Sequence, residues 1–212
     1  MWINYPHMPT GAAGSDELFK KLLSFAKKHQ ILLINDNPYS FVLNQNPKSI
    51  LQFEGAKEVA IELNSLSKTY NIAGWRVGMV VGNKEILTSI LQVKSNMDSG
   101  MYFGIQQGAI AALNLPESWT TDMNSIYEKR RELVWKICDH LNCSYDKNST
   151  GMFVWAKVPD GKSENEITDH LLYNHDVFIT PGTVFGSNGK GYVRFSLCLK
   201  EAKIEEVLTR IS

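Results

Sequence analysis

Three short apolar runs, Ile31-Leu32-Leu33-Ile34, Val59-Ala60-Ile61-Glu62-Leu63 and Val77-Gly78-Met79-Val80-Val81, constrain this chain more than any other feature. The first is continuous and bounded by polar residues, the pattern of a strand buried on both faces. Helical segments lie around these runs. From Ser15, an N-cap residue followed by acidic Asp16 and Glu17, apolar Leu18, Leu22, Leu23, Phe25 and Ala26 recur at helical spacing as far as Lys27-Lys28-His29. Strands of this kind separated by helices describe an α/β layer with a largely parallel sheet, whose ligand sites gather beyond the carboxyl ends of the strands.

After about Leu113 the pattern changes. Pro116 opens a long amphipathic stretch reaching about Leu141, with Trp119, Met123, Ile126, Tyr127, Leu133, Val134 and Ile137 as its apolar members. A strand from Met152 to Val158, a helix from Ser163 to about Tyr173, short strands near Val177-Ile179 and Tyr192-Leu197, and a helix from Lys200 follow. This reads as an α+β tail, so the expected division is an α/β domain over residues 1–113, then a linking helix and a small domain over 114–212.

Composition narrows the function. Twenty-two basic residues balance 22 acidic ones, so no global field gathers a nucleic acid or an anionic membrane surface. No run approaches the roughly 20 apolar residues of a bilayer-spanning helix, and Met1-Trp2-Ile3-Asn4-Tyr5-Pro6 lacks the regions of a signal peptide, which makes the expectation cytoplasmic. Cys138, Cys143 and Cys198 form no C-x-x-C pair and read as small buried hydrophobes. Cys138, His140 and Cys143 do not share one helix face, so no metal site is expected. Gly182 to Lys190 is rich in glycine but lacks the spacing of a nucleotide phosphate loop.

Three places carry residues suited to chemistry. Ser65-Leu66-Ser67-Lys68 follows a strand directly, with Arg76 eight residues beyond the lysine. A lysine held past a buried strand end, with hydroxyls on its own turn, suits a Schiff-base amine beside an anion site; the plain alternative is a surface lysine. Asp36-Asn37-Pro38-Tyr39 again lies just past a strand, where a carboxylate needs a partner unless it merely closes an Asx turn. Arg194 sits inside the apolar strand Tyr192-Val193-Arg194-Phe195-Ser196. It faces water, or it turns inward and forks a carboxylate.

Taken in order, Met8-Pro9-Thr10-Gly11, Asp36-Asn37-Pro38-Tyr39, Ser65-Leu66-Ser67-Lys68 with Arg76, and Arg194 resemble the N-P-T-G-like, D-x-x-Y, S-x-S-K and C-terminal arginine motifs of class I/II, fold-type I aminotransferases, which depend on pyridoxal 5'-phosphate. Asn96-Met97-Asp98-Ser99-Gly100 and Gly151-Met152-Phe153-Val154-Trp155 look like the diaminopimelate- and aspartate-type branch. The resemblance spans essentially all of the chain but not all of the family, whose members are much longer. It implies the C-terminal part of the cofactor-binding large domain, a mostly parallel sheet with helices, followed by the small C-terminal domain. By the same resemblance Lys68 is the catalytic amine, Asp36 meets the cofactor's ring nitrogen, Tyr39 its phenolic oxygen, Ser65 and Arg76 its phosphate, and Ser67 either assists in holding the cofactor or only shapes the turn. Arg194 takes the substrate α-carboxylate, and the assembly is a homodimer acting on an amino acid and a 2-oxo acid.

One departure stands out. Where the family has asparagine before the proline of N-P-T-G, this chain has Met8, which cannot donate a hydrogen bond. Either Tyr39 acts alone on the phenolic oxygen or the site is retuned. A carbon–sulfur lyase with the same lysine, or a non-catalytic scaffold, are the alternative readings. The chain by itself is expected neither to hold the cofactor tightly nor to transaminate, because the glycine-rich phosphate turn and the aromatic ring stacked on the pyridine come from the family's N-terminal half.

Overall fold

The computed structural model describes residues 1–212, which form two compact units. One comprises Met1–Pro6 and Ala13–Thr120, the other His7–Ala12 and Thr121–Ser212. In the first unit β1 (Trp2–Asn4), α1 (Asp16–Lys28), β2 (Leu33–Asp36), α2 (Ala56–Val59), β3 (Ala60–Ser65), α3 (Leu66–Thr69), β4 (Gly78–Gly82), α4 (Lys84–Met97) and α5 (Phe103–Leu113) follow in chain order. The sheet order is β1-β2-β3-β4, with the first two pairings parallel and β4 antiparallel to β3.

Local chemistry sets the first helix. The Ser15 hydroxyl accepts from the Leu18 amide at 3.1 Å, Asp16 and Glu17 occupy the positive end, and Lys27 and Lys28 the negative end. Its buried face is Phe19, Leu23 and Ala26, an i, i+4, i+7 stripe, so the expected apolar set is shifted. Phe25 points outward, 46% exposed, against the His29 ring. Phe19 packs with Leu33, Ile50, Ala56 and Ala60, and its ring meets Tyr5 edge-on at 6.1 Å and Phe53 at 5.5 Å. This cluster lies beneath one face of the sheet.

Burial on the two faces of β2 is unequal, which corrects the expectation of a strand covered on both sides. Leu33 and Asn35 are fully buried, whereas Leu32 and Ile34 are only partly covered. The strand also begins at Leu33 rather than Ile31.

The long helix α6 (Ser118–His140) starts near Pro116 as expected and buries Met123, Tyr127, Val134, Ile137 and Cys138, while Ile126 is exposed. In the second unit, β5 (Ser144–Tyr145), β6 (Phe153–Lys157), α7 (Glu164–His175), β7 (Thr180–Pro181), β8 (Tyr192–Ser196) and α8 (Glu201–Ile211) complete the chain. The sheet runs β5-β6-β8-β7 and is antiparallel throughout. Ser163 and Glu166 form a reciprocal capping box at the start of α7. The strand expected at Val177-Ile179 falls instead at Thr180–Pro181, because Val177 and Ile179 serve as buried packing residues after α7. Strand β5 is too short to leave a periodic signal. Cys138 and Cys143 are buried, and burial pushes the Cys143 thiol up to about 11, which makes it inert. Cys198, by contrast, is exposed, 3.7 Å from the Met152 sulfur, so the buried reading fails for it. No helix is long and apolar enough to cross a membrane.

Phe19 anchors the first unit, with 1% of its surface exposed and rings on two sides. Replacing it with alanine should cost about 3–5 kcal/mol of unfolding free energy, read as a lowered midpoint in urea denaturation. A loss below about 1 kcal/mol would place the anchor of this core elsewhere.

Candidate active site

The carboxyl ends of β2 and β3 lie side by side because the two strands are parallel with Asp36 opposite Leu63. The junction is pinned from both sides: the Asn37 amide donates to the Leu63 carbonyl at 2.8 Å, and the Asn4 side-chain amide donates to the Asp36 carbonyl at 2.6 Å. The Asp36 side chain is half-buried, and no cation or donor of this chain meets its carboxylate. Desolvation alone therefore raises its pKa above the usual carboxylate range. Tyr39, three residues on, is half-buried in the loop that follows, its carbonyl accepting from the Val42 amide.

Past the end of β3, Ser65 caps the one-turn helix α3 by accepting from the Ser67 amide at 3.2 Å. Its hydroxyl also donates to the Val77 carbonyl at 3.4 Å, which accepts from the Leu66 amide as well. That carbonyl ties the start of α3 to the residue after Arg76. Leu66 and Ser67 are buried, so the turn is held by its own packing. Lys68 is half-buried on this turn, and its amine makes no hydrogen bond or ion pair. Arg76 is exposed in a left-handed conformation (φ 55°), one Nη donating to the Ala73 carbonyl at 2.9 Å. Next to it Trp75 lies against α5 where only a glycine fits, because a Cβ on Gly108 would collide with the indole.

Asp36, Tyr39, Ser65, Ser67, Lys68 and Arg76 thus all lie in the first unit, Asp36 and Ser65 as the last residues of β2 and β3 and the others on the segments that follow. Arg194 lies in the second unit, on β8, and is half-buried rather than on a wet face. Its guanidinium carbon stands 4.2 Å from the Phe153 ring center and 4.5 Å from that of Phe185, two cation–π contacts that restrain the side chain. One Nη reaches the Met8 sulfur at 3.4 Å. The residue that departs from the family pattern is therefore a direct neighbor of the arginine expected to bind substrate.

Two polar groups escaped the sequence reading. Glu62, 6% exposed in the middle of β3, accepts from the Asn35 side-chain amide at 3.1 Å and from the Ile50 amide at 3.0 Å. Asn35 in turn accepts from the Tyr5 amide. Glu62 inside an otherwise apolar run was the available signal, since a buried carboxylate requires donors.

Could these residues hold pyridoxal phosphate? A carboxylate free of cations matches a protonated ring nitrogen, an amine free of anions matches a carbonyl, and an exposed guanidinium at a tight turn matches a phosphate. The donor set fits.

The chain belongs to the class I and II aminotransferases, whose family model matches residues 1–211. Among its relatives are LL-diaminopimelate aminotransferases of Halothermothrix orenii, 41% identical over 99% of this chain and 54% of that protein, and of Aquifex aeolicus, 39% identical over 100% and 55%. Among solved structures, BacF of Bacillus subtilis superposes with a TM-score of 0.92 at 38% identity, over 100% of this chain and 55% of BacF. A probable N-succinyldiaminopimelate aminotransferase of Thermus thermophilus gives 0.91 at 34% identity, over 99% of this chain and 57% of its own. The chain spans about half the length of the relatives it matches.

The desolvated Asp36 has a consequence for stability. With its folded pKa raised, the folded state pays for the charge above that pKa, and the cost vanishes once both states are protonated below the ordinary carboxylate value. Asp36→Asn should therefore raise the melting temperature at pH 7, with the gain shrinking as the pH falls through the raised value toward about 4, the ordinary carboxylate range. Thermal unfolding of both proteins across that range checks it. A gain that is constant with pH would mean that the charge is not the cause.

Proposed function

We propose that this chain is the lysine-bearing part of a pyridoxal-phosphate-dependent aminotransferase, which moves an amino group from an amino acid to a 2-oxo acid. One observation carries the reading: an amine, Lys68, and a carboxylate, Asp36, each without an ionic partner, lie at and just beyond the carboxyl ends of adjacent parallel strands. Unpaired charges are costly in a fold and persist where a ligand completes them. The names of the relatives favor a diaminopimelate-type substrate as the first to test.

When bound, pyridoxal phosphate supplies an electron sink for the carbanion at the substrate α-carbon. The chain's own residues supply the rest. Asp36 would hold a proton on the ring nitrogen by charge pairing. Tyr39 donates to the phenolic oxygen. Lys68 would hold the cofactor by its amine and would carry a proton to and from the substrate α-carbon. Arg76 neutralizes phosphate charge. Ser65 and Ser67 offer hydroxyls, though the Ser65 oxygen is already committed to capping α3. Arg194, restrained by the Phe153 and Phe185 rings, would fork the α-carboxylate and so fix how the α-carbon is presented. The proposal includes a large-domain part and a small domain, with cytoplasmic action as a homodimer. The exposed Tyr102 and Phe103 offer apolar surface for that assembly.

The test is a chimera in which this chain replaces the matching segment of the Halothermothrix orenii relative. Borohydride reduction of the chimera with bound cofactor, followed by peptide mapping, should fix the label on Lys68. Label on another lysine sinks the assignment. In the same chimera Arg194→Lys keeps the charge and loses the fork, so kcat/KM should fall at least about tenfold, or about 1.4 kcal/mol. An unchanged value would remove Arg194 from substrate binding.

A further inference from the structure

Along β6 and β8 the buried residues Val154, Ala156, Val193 and Phe195 alternate with Phe153, Trp155, Tyr192 and Arg194, which share the other face of the second unit's sheet. Trp155 stands opposite Arg194 in the register and stacks on Tyr192 at 5.2 Å. The loop of residues 182–191 adds Phe185 to this face, edge-on to Trp155 at 5.8 Å and 4.5 Å from the Arg194 guanidinium carbon. The loop is pinched at its neck, where a Cβ on Gly182 or Gly189 would strike the backbone of the other. Its remaining backbone bonds are local, from the Gly186 amide to the Thr183 carbonyl and from the Gly189 amide to the Gly186 carbonyl, and Thr183, Val184 and residues 186–188 are exposed.

One side chain from outside the loop clasps it. Glu164, the first residue of α7, is buried, and its carboxylate accepts from the Gly191 amide at 2.8 Å and from the Thr183 hydroxyl. These two bonds join the end of the loop to a point two residues before Phe185. The donors, the Gly191 amide foremost, hold the Glu164 carboxyl below the usual carboxylate range. Ser163 and Glu166 already satisfy each other at the start of α7, so the Glu164 carboxylate is not spent on capping the helix. We propose that Glu164 is a positioning residue: by clasping the 182–191 loop it sets the Phe185 ring against Arg194 and thereby orients the guanidinium for a substrate carboxylate. The inference rests on the reading of Arg194 given under the proposed function.

The first measurement needs no cofactor. Hydrogen exchange of the 212-residue chain, followed by NMR, should show the Gly191 amide exchanging at least about tenfold faster in Glu164→Ala than in the parent. The second uses the chimera with the Halothermothrix orenii relative. There Glu164→Ala should raise KM for the amino acid at least about threefold and leave kcat within about twofold, as for the loss of one partly exposed cation–π contact. Glu164→Gln keeps an acceptor for the Gly191 amide and should return KM to within about twofold of the parent. Phe185→Leu removes the ring, and adding Glu164→Ala to it should change KM no further. Glu166→Gln loosens the same helix start without touching the loop, and should move neither Gly191 exchange nor KM. Unchanged Gly191 exchange in Glu164→Ala overturns the proposal. So do losses that multiply in the double variant, a Gln variant as impaired as the Ala one, or equal effects from Glu166→Gln. If Arg194→Lys lowers kcat/KM while Glu164→Ala leaves KM unchanged, only the positioning role falls; if Arg194→Lys has no effect, the proposed carboxylate site falls and the role of Glu164 with it.

Discussion

The parallel register between β2 and β3 is the constraint on which the candidate site depends. It sets Asp36 opposite Leu63, which brings the segment after each strand to the same end of the sheet. Strand side chains alternate faces, so a slip of one residue would turn Asp36 to the other side. The register is held from inside by Glu62, whose buried carboxylate ties Asn35 of β2 to the Ile50 amide, and at the end by the Asn37 amide on the Leu63 carbonyl. Beyond β3, the Val77 carbonyl joins the turn carrying Lys68 to the one carrying Arg76. A few backbone bonds thus convert strand pairing into the placement of separate functional groups.

That placement is costly. Asp36 is desolvated without a cation and Lys68 is half-buried without an anion, against the general pairing of charges in folded proteins. The contrast with Glu62 is informative. It is met by donors within the chain and serves the sheet; Asp36 lacks such donors and is available to a ligand. Arg194 shows a third arrangement, in which two aromatic rings restrain a guanidinium.

The same sheet has unequal faces. Its packed face has Phe19 at the center of a closed cluster, while the opposite face offers Leu32 and Ile34 to a helix that buries nothing. Apolar residues of the β2 region thus point to two faces, one closed over and the other only partly covered.

Much of this was legible in the residues themselves. The apolar runs located three strands of the first sheet, Ser15 and Ser163 marked helix starts through their capping chemistry, and the motifs around Asp36, Lys68 and Arg194 pointed to the family, because strand ends, caps and turns are local effects of residue type. Other features needed the folded chain. Phe19 rather than Phe25 faces the core because the direction of a helix face depends on what packs against it. Likewise, Glu62 is a buried clamp only because Asn35 and the Ile50 amide come to it from other segments. The contact between Arg194 and Met8 joins residues 186 positions apart, and no local pattern encodes it. Sequence determined which groups the chain carries and the elements that bear them; tertiary structure decided which of Asp36, Lys68 and Glu62 meets a partner, because that depends on long-range packing.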